Sequence, residues 1–80
     1  MQTIFVLVKC DLGKAYAVAA EAVDRIEEVS EVHSIAGQYD LIVKCHLAQG
    51  DDVGHFMNEK LHSIEGIKDT FTMITFRAFG

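Results

Sequence analysis

Val32–Leu47, VHSIAGQYDLIVKCHL, reads as two extended runs joined at Gly37-Gln38, with an acid, Asp40, just past the join. A two-residue Gly-X connection closes tight hairpins because glycine accepts the positive φ of a type II′ turn. The spacing predicts strands over about Val32–Ala36 and Tyr39–Leu47. In the second, Leu41, Val43, Cys45 and Leu47 share one apolar face, while Asp40, Ile42, Lys44 and His46 share a mixed face suited to solvent or an interface. The turn gathers backbone amides, Tyr39 and the Asp40 carboxylate at one sheet end. A zwitterionic amino acid needs that combination, donors for its carboxylate and an acceptor for its ammonium group. The plainer alternative is that Gly37 only makes the turn and Asp40 is a solvated strand residue.

Upstream, QTIFVLVKC (residues 2–10) alternates Ile4, Val6 and Val8 against Phe5 and Leu7, so this strand is apolar on both faces and covered on both. A helix is predicted from Gly13 to about Val29: Ala15, Val18, Ala19, Ala22, Ile26 and Val29 recur at helical spacing. Downstream, Gly50-Asp51-Asp52 breaks the strand and supplies an N-cap carboxylate. Val53, Phe56, Met57, Leu61 and Ile64 form the buried stripe of a second helix, which Glu65-Gly66 ends. A last strand, roughly Ile67–Ala78, sets Ile74 and Phe76 on one face and Phe71 and Met73 on the other. The order β-α-β-β-α-β predicts an α+β, ferredoxin-like sandwich, a four-stranded antiparallel sheet with two helices on one face. Phe5, Leu7, Ile42, Phe71 and Met73 then share the uncovered face, a patch too large for a typical soluble monomer. The sheet is therefore expected to pack on a second sheet, giving at least a homodimer.

Composition narrows the function. Eighty residues make one domain, 1–80, and a core of this size typically supplies only about 3–5 kcal/mol, so association is a natural reinforcement. The net charge of -5 and the scattered lysines and arginines offer no basic face for nucleic acid. No apolar run approaches the roughly 20 residues that cross a bilayer, and MQTIFVLVKCD lacks the pattern of a signal peptide, so the expected location is the cytoplasm. Cys10 and Cys45 fit that compartment as free thiols lying too far apart to pair. The histidines, His33, His46, His55 and His62, lack metal-ligand spacing, so no metal is expected; exposure is the simpler reading of His55 and His62. Ser30, Ser34 and Ser63 stand in no nucleophile-elbow context, and no Gly-rich phosphate loop precedes either helix. The expectation is a non-enzyme without a cofactor. An RNA-recognition reading lacks the aromatic and basic strand it needs, and an acylphosphatase reading lacks an arginine within Lys9–Gly13.

Val29-Ser30-Glu31-Val32, Ile35-Ala36-Gly37-Gln38-Tyr39-Asp40-Leu41-Ile42-Val43, Ile64-Glu65-Gly66-Ile67 and Thr70-Phe71-Thr72 together resemble the effector-binding (RAM) domain of the Lrp/AsnC regulator family. The resemblance covers nearly the whole chain. It implies sheets that pair into dimers, dimers that assemble into rings, often octamers, and an amino-acid effector held between dimers. The ligand-binding residues it implies are Gly37, Gln38, Tyr39 and Asp40 at the turn, with Thr70 and Thr72 lining the same region. Two departures stand out. Family members usually carry an N-terminal helix-turn-helix domain, whereas this chain starts at its first strand, so a stand-alone member without DNA contact is expected. The residue before the turn glycine is often threonine and is Ala36 here, which removes one hydroxyl.

The expected function is therefore a non-catalytic amino-acid-sensing module that oligomerises and modulates amino-acid-responsive transcription or metabolism. Asp40→Ala is expected to abolish binding and leave the fold intact. Two alternatives remain open. A cofactor-free monooxygenase of the small ferredoxin-like kind would need a substrate cavity under Tyr16 and Phe56, where the alanine-rich helix suggests a closed gap. A purely structural oligomerisation partner of a full-length Lrp/AsnC regulator would bind no ligand at all.

Overall fold

A computed structural model describes residues 1–79. The chain runs β1 (Gln2–Cys10), α1 (Ala15–Arg25), β2 (Val29–Ser34), β3 (Leu41–Leu47), α2 (Val53–Glu59), a 3-10 turn (Leu61–Ser63) and β4 (Ile67–Ile74). All pairings are antiparallel and the sheet order is β2-β3-β1-β4. Ile4, Val6, Val8, Leu41, Val43, Cys45 and Leu47 point to the helix-covered side and are buried with Val18, Ala22, Phe56, Met57 and Leu61. Each such aliphatic side chain contributes roughly 1.5–3 kcal/mol by leaving water. Ala15 and Ala19 let α1 lie close on the sheet, because their small side chains cover it without spacing the backbones apart.

Several boundaries differ from the sequence reading, each for a local reason. The first helix spans Ala15–Arg25 and not Gly13–Val29: Ile26 leaves helical geometry at φ -110°, ψ 105° to bury its side chain. Val29 then joins β2 opposite Cys45, so that strand starts three residues earlier than Val32. The second helix breaks at Lys60 (φ -111°, ψ -65°), and Leu61 and Ile64 reach the core from the 3-10 turn and the residue after it. Its start is as predicted: the Asp52 carboxylate accepts from the His55 amide at 3.1 Å. β4 ends at Ile74, opposite Ile4, because β1 has almost no strand left to pair with; Thr75 still donates its N–H to the Thr3 carbonyl at 3.3 Å.

Register puts the five uncovered apolar residues in contact range. Leu7 lies between Ile42 and Phe71, and Phe5 lies between Lys44 and Met73. Phe71 is 53% exposed. Glu31 and His33 border the patch on β2, where Glu31 meets Lys44 at 3.6 Å and His33 at 2.9 Å. Cys45 pairs with Ile4, six residues from Cys10 along β1, so the two free thiols stand on the order of 20 Å apart at strand spacing. Among the described residues no helix is long and apolar enough to cross a membrane.

Candidate functional site

The β2–β3 connection is wider than the predicted two-residue turn. It spans residues 35–40 and is closed by the Ile35 amide donating to the Asp40 carbonyl at 2.9 Å. Gly37 has φ +124°, well away from the roughly +60° of a II′ corner, yet still in a region that favours glycine. The turn widens because Asp40 is held by β1. Its N–H donates to the Val8 carbonyl at 2.9 Å, and its carboxylate accepts from the Cys10 amide at 2.8 Å. Lys9 Nζ donates to the Gln38 carbonyl at 3.0 Å and ties the loop to the same strand. Asp40 is thus neither a solvated strand residue nor wholly free for a ligand, and the expectation that Asp40→Ala leaves the fold untouched is corrected by the Cys10 bond.

Beside this corner lies a cleft of about 580 Å³, lined by Asp40, the end of β1 and the start of α1, with Lys68 from β4. Lys68 reaches it because the β1–β4 register slips at Lys9/Cys10: Lys9 faces Asp69 but Cys10 faces Ile67, which leaves Lys68 unpaired. Two basic residues, Lys9 and Lys68, and two acidic ones, Asp11 and Asp40, line one volume. That arrangement can meet both ends of a zwitterion. Burial, then the nearby Asp40 and Asp11 charges, push the Cys10 thiol above its ordinary range, which keeps it protonated and unreactive. Burial and, secondarily, Glu28 push Cys45 up to about 12.

The six sequence-predicted residues do not form one site within a subunit. Of them, only Asp40 lines the cleft. Tyr39 reaches the uncovered face, its ring 6.5 Å from that of Phe71. Thr70 and Thr72 pair with Val8 and Val6 and so belong to the helix-covered face, where Thr70 Oγ1 sits 2.9 Å from His62 Nε2. Sequence reading missed Lys9, Asp11 and Lys68; Lys9 lies near the end of the predicted strand and Asp11 just past it, whereas the slip that frees Lys68 left no local trace.

The remaining candidates find ordinary roles. His55 lies 3.6 Å from Glu59 on the outer side of α2, and His62 also contacts Asn58. No group of three potential metal ligands converges among the described residues. The cavity a monooxygenase would need is not framed by Tyr16 and Phe56, since Tyr16 is exposed and Phe56 is packed into the core.

Residues 3–79 match the family model described as the Lrp/AsnC ligand binding domain. An uncharacterized HTH-type transcriptional regulator of Pyrococcus furiosus is 38% identical over 76 residues, which cover 92% of this chain and 51% of that protein. The HTH-type transcriptional regulator FL11 of Pyrococcus furiosus is 34% identical over 73 residues, 91% of this chain and 47% of its own length. The chain thus spans about half the length of the curated relatives it matches. Among solved structures, TTHA0845 from Thermus thermophilus superposes with a TM-score of 0.89 at 29% identity, covering 100% of this chain and 99% of that one. A Neisseria meningitidis transcriptional regulator, solved as its L-Met complex, shares the fold at a TM-score of 0.84 and 19% identity, over 99% of this chain and 52% of its own. The fold, the family model and these relatives agree: the chain belongs to the Lrp/AsnC ligand binding domain family.

Proposed function

We propose that this domain is a non-catalytic sensor of a free amino acid in the cytoplasm, and that it works as an oligomer. The observation that carries the reading is the cleft bordered by Lys9, Lys68, Asp11 and Asp40, two charges of each sign around one volume. The lysines would receive the carboxylate of the ligand and the aspartates its ammonium group. Gly37, Gln38 and Tyr39 do not line their own subunit's cleft, so in this reading they act across a contact between subunits. Thr70 and Thr72, partly accessible on the edge strand, complete the set from the neighbour. The uncovered apolar face, Phe5, Leu7, Ile42, Phe71 and Met73, supports pairing of two sheets, and dimers so formed would assemble further, to an octamer in the arrangement the family resemblance implies.

Each charge-assisted contact is worth roughly 1.5–3 kcal/mol, set against an association cost of about 4–15 kcal/mol. The gain offsets that cost only where the ligand engages several of the four groups at once. A ligand alters the assembly only as far as it binds one arrangement better than another. Calorimetric titration of the assembled protein with each of the twenty amino acids tests this, L-methionine of the Neisseria complex among them. Heat from one or a few chemically related amino acids is expected; no heat from any defeats the sensing claim. A second reading, an oligomerisation partner of a full-length regulator of the family, rests on the apolar face alone. Co-purification with such a regulator together with thermally silent titrations would favour it.

A further inference from the structure

We propose that Lys9 is a latch between the cleft and the apolar face: its ammonium either holds the tip of the β2–β3 loop or receives a carboxylate in the cleft, and Tyr39 carries the change to Phe71. The proposal rests on the reading of the cleft as an amino-acid site, and it states how occupancy of that site acts on the pairing of two sheets.

The base and the tip of the loop are held differently. The base is fixed to the sheet by the bond from the Ile35 amide to the Asp40 carbonyl and by the two bonds that Asp40 makes to β1. The tip, residues 36–39, makes one hydrogen bond among the described residues, the one from Lys9 Nζ to the Gln38 carbonyl at 3.0 Å. Lys9 is also a wall of the cleft of about 580 Å³. It follows Phe5 and Leu7 in the alternation of β1, so its half-buried stem leaves the strand on the uncovered face. One side chain thus lines the cleft, holds the tip and stands at the apolar face.

Tyr39 makes the link to that face. It follows Gln38 directly, is half-buried, and holds its ring 6.5 Å from that of Phe71 at an interplanar angle of 37°. Phe71 pairs with Leu7 within the patch. While Lys9 holds Gln38, the tip keeps Tyr39 beside Phe71, and the face is ordered before a second sheet arrives. For an ammonium group, a carboxylate is a stronger acceptor than a neutral peptide carbonyl by roughly a factor of two. A ligand carboxylate in the cleft therefore draws Lys9 off Gln38, and the tip loses its hydrogen bond. Residues 36–39 must then be ordered again when two sheets meet, which weakens the pairing. By reciprocity, pairing weakens the ligand to the same degree. A carboxamide is no better an acceptor than Gln38 itself and leaves the latch closed.

Sedimentation of the full chain measures self-association, and NMR order parameters at Gln38 and Tyr39 measure the tip. Lys9→Met keeps the stem and removes the donor. It should loosen the tip and weaken association at least about fivefold, with circular dichroism unchanged. Tyr39→Ala should weaken association as well, and Lys9→Met should then add nothing, because the two side chains act in series. Each of the twenty amino acids that gives heat in the titrations should loosen the tip and weaken association of the parent, and its carboxamide should do neither. Unchanged association in Lys9→Met, losses that multiply in the double variant, or an amino acid that binds while the tip stays ordered would each overturn the latch. The variants need no ligand, so the two readings fail separately. If amino acids bind but Lys9→Met associates as the parent does, the latch alone is lost; if no amino acid gives heat, the sensing reading is lost and the double variant still decides the coupling.

Discussion

Asp40→Ala and Asp40→Asn separate what this residue does for the fold from what it does for a ligand. The carboxylate accepts from the Cys10 amide at 2.8 Å, and Cys10 is 7% exposed. Truncation to alanine leaves that amide without its partner at a site water barely reaches, which costs about 1–3 kcal/mol. At about 4–8 °C per kcal/mol for a domain of this size, a loss near 2 kcal/mol lowers Tm by roughly 8–16 °C. Asparagine keeps an oxygen acceptor in the same place and gives up only the charge, so it should retain roughly half of the bond's contribution. Its amide no longer neutralises an ammonium group, and amino-acid affinity should fall at least about tenfold, or 1.4 kcal/mol. Urea unfolding at one fixed protein concentration, with hydrogen exchange at the Cys10 amide, measures the first effect; calorimetry measures the second. An alanine variant within about 0.5 kcal/mol of the parent, the ordinary scatter for surface substitutions, would refute the latch, as would asparagine proving equally destabilising.

Leu7→Glu places a charge between Ile42 and Phe71 on the uncovered face and should weaken self-association at least about a hundredfold, or 2.7 kcal/mol, with sedimentation showing monomer at micromolar concentration. Gly66→Ala should destabilise by about 1–3 kcal/mol in denaturant unfolding, since Gly66 has φ +102° and a Cβ there would stand 3.1 Å from Val18 Cγ2 and 3.2 Å from Lys14 Cβ. The Lys60 hydrogen bond, 2.9 Å to Glu28, holds the Glu28 carboxyl below its ordinary 4.5. Its stabilisation is complete above that unfolded value and is lost as pH falls through the lower folded one, so Glu28→Gln should flatten the decline of the urea midpoint below about pH 4.5.

The fold was legible where alternation or capping is local. Ile4, Val6 and Val8 against Phe5 and Leu7 announced a strand apolar on both faces, with the first three in the core, and Asp52 announced the start of α2. The Thr70 and Thr72 placement was also within reach: the alternation that turns Phe71 and Met73 outward turns those threonines to the helix side, away from Tyr39. What local pattern did not carry was the grip of β1 on Asp40, because it depends on which strand lies next to the hairpin. The register slip at Lys9/Cys10 was hidden for the same reason, and with it the part played by Lys68. Ile26 shows the converse case, a residue whose helical spacing was real but whose burial is achieved by ending the helix.

The sheet order has a kinetic corollary. β1, a central strand, is flanked on one side by the last strand of the chain, with Ile4 opposite Ile74, so the two ends of the sequence must meet before the sheet is whole. Closing so long a loop is entropically slow, and topologies dominated by distant pairings fold late and gradually. During synthesis the first strand leaves the ribosome long before its neighbour exists, with Phe5 and Leu7 unshielded throughout the wait. The folded domain is thus preceded by an interval in which these apolar side chains invite chaperone capture or aggregation.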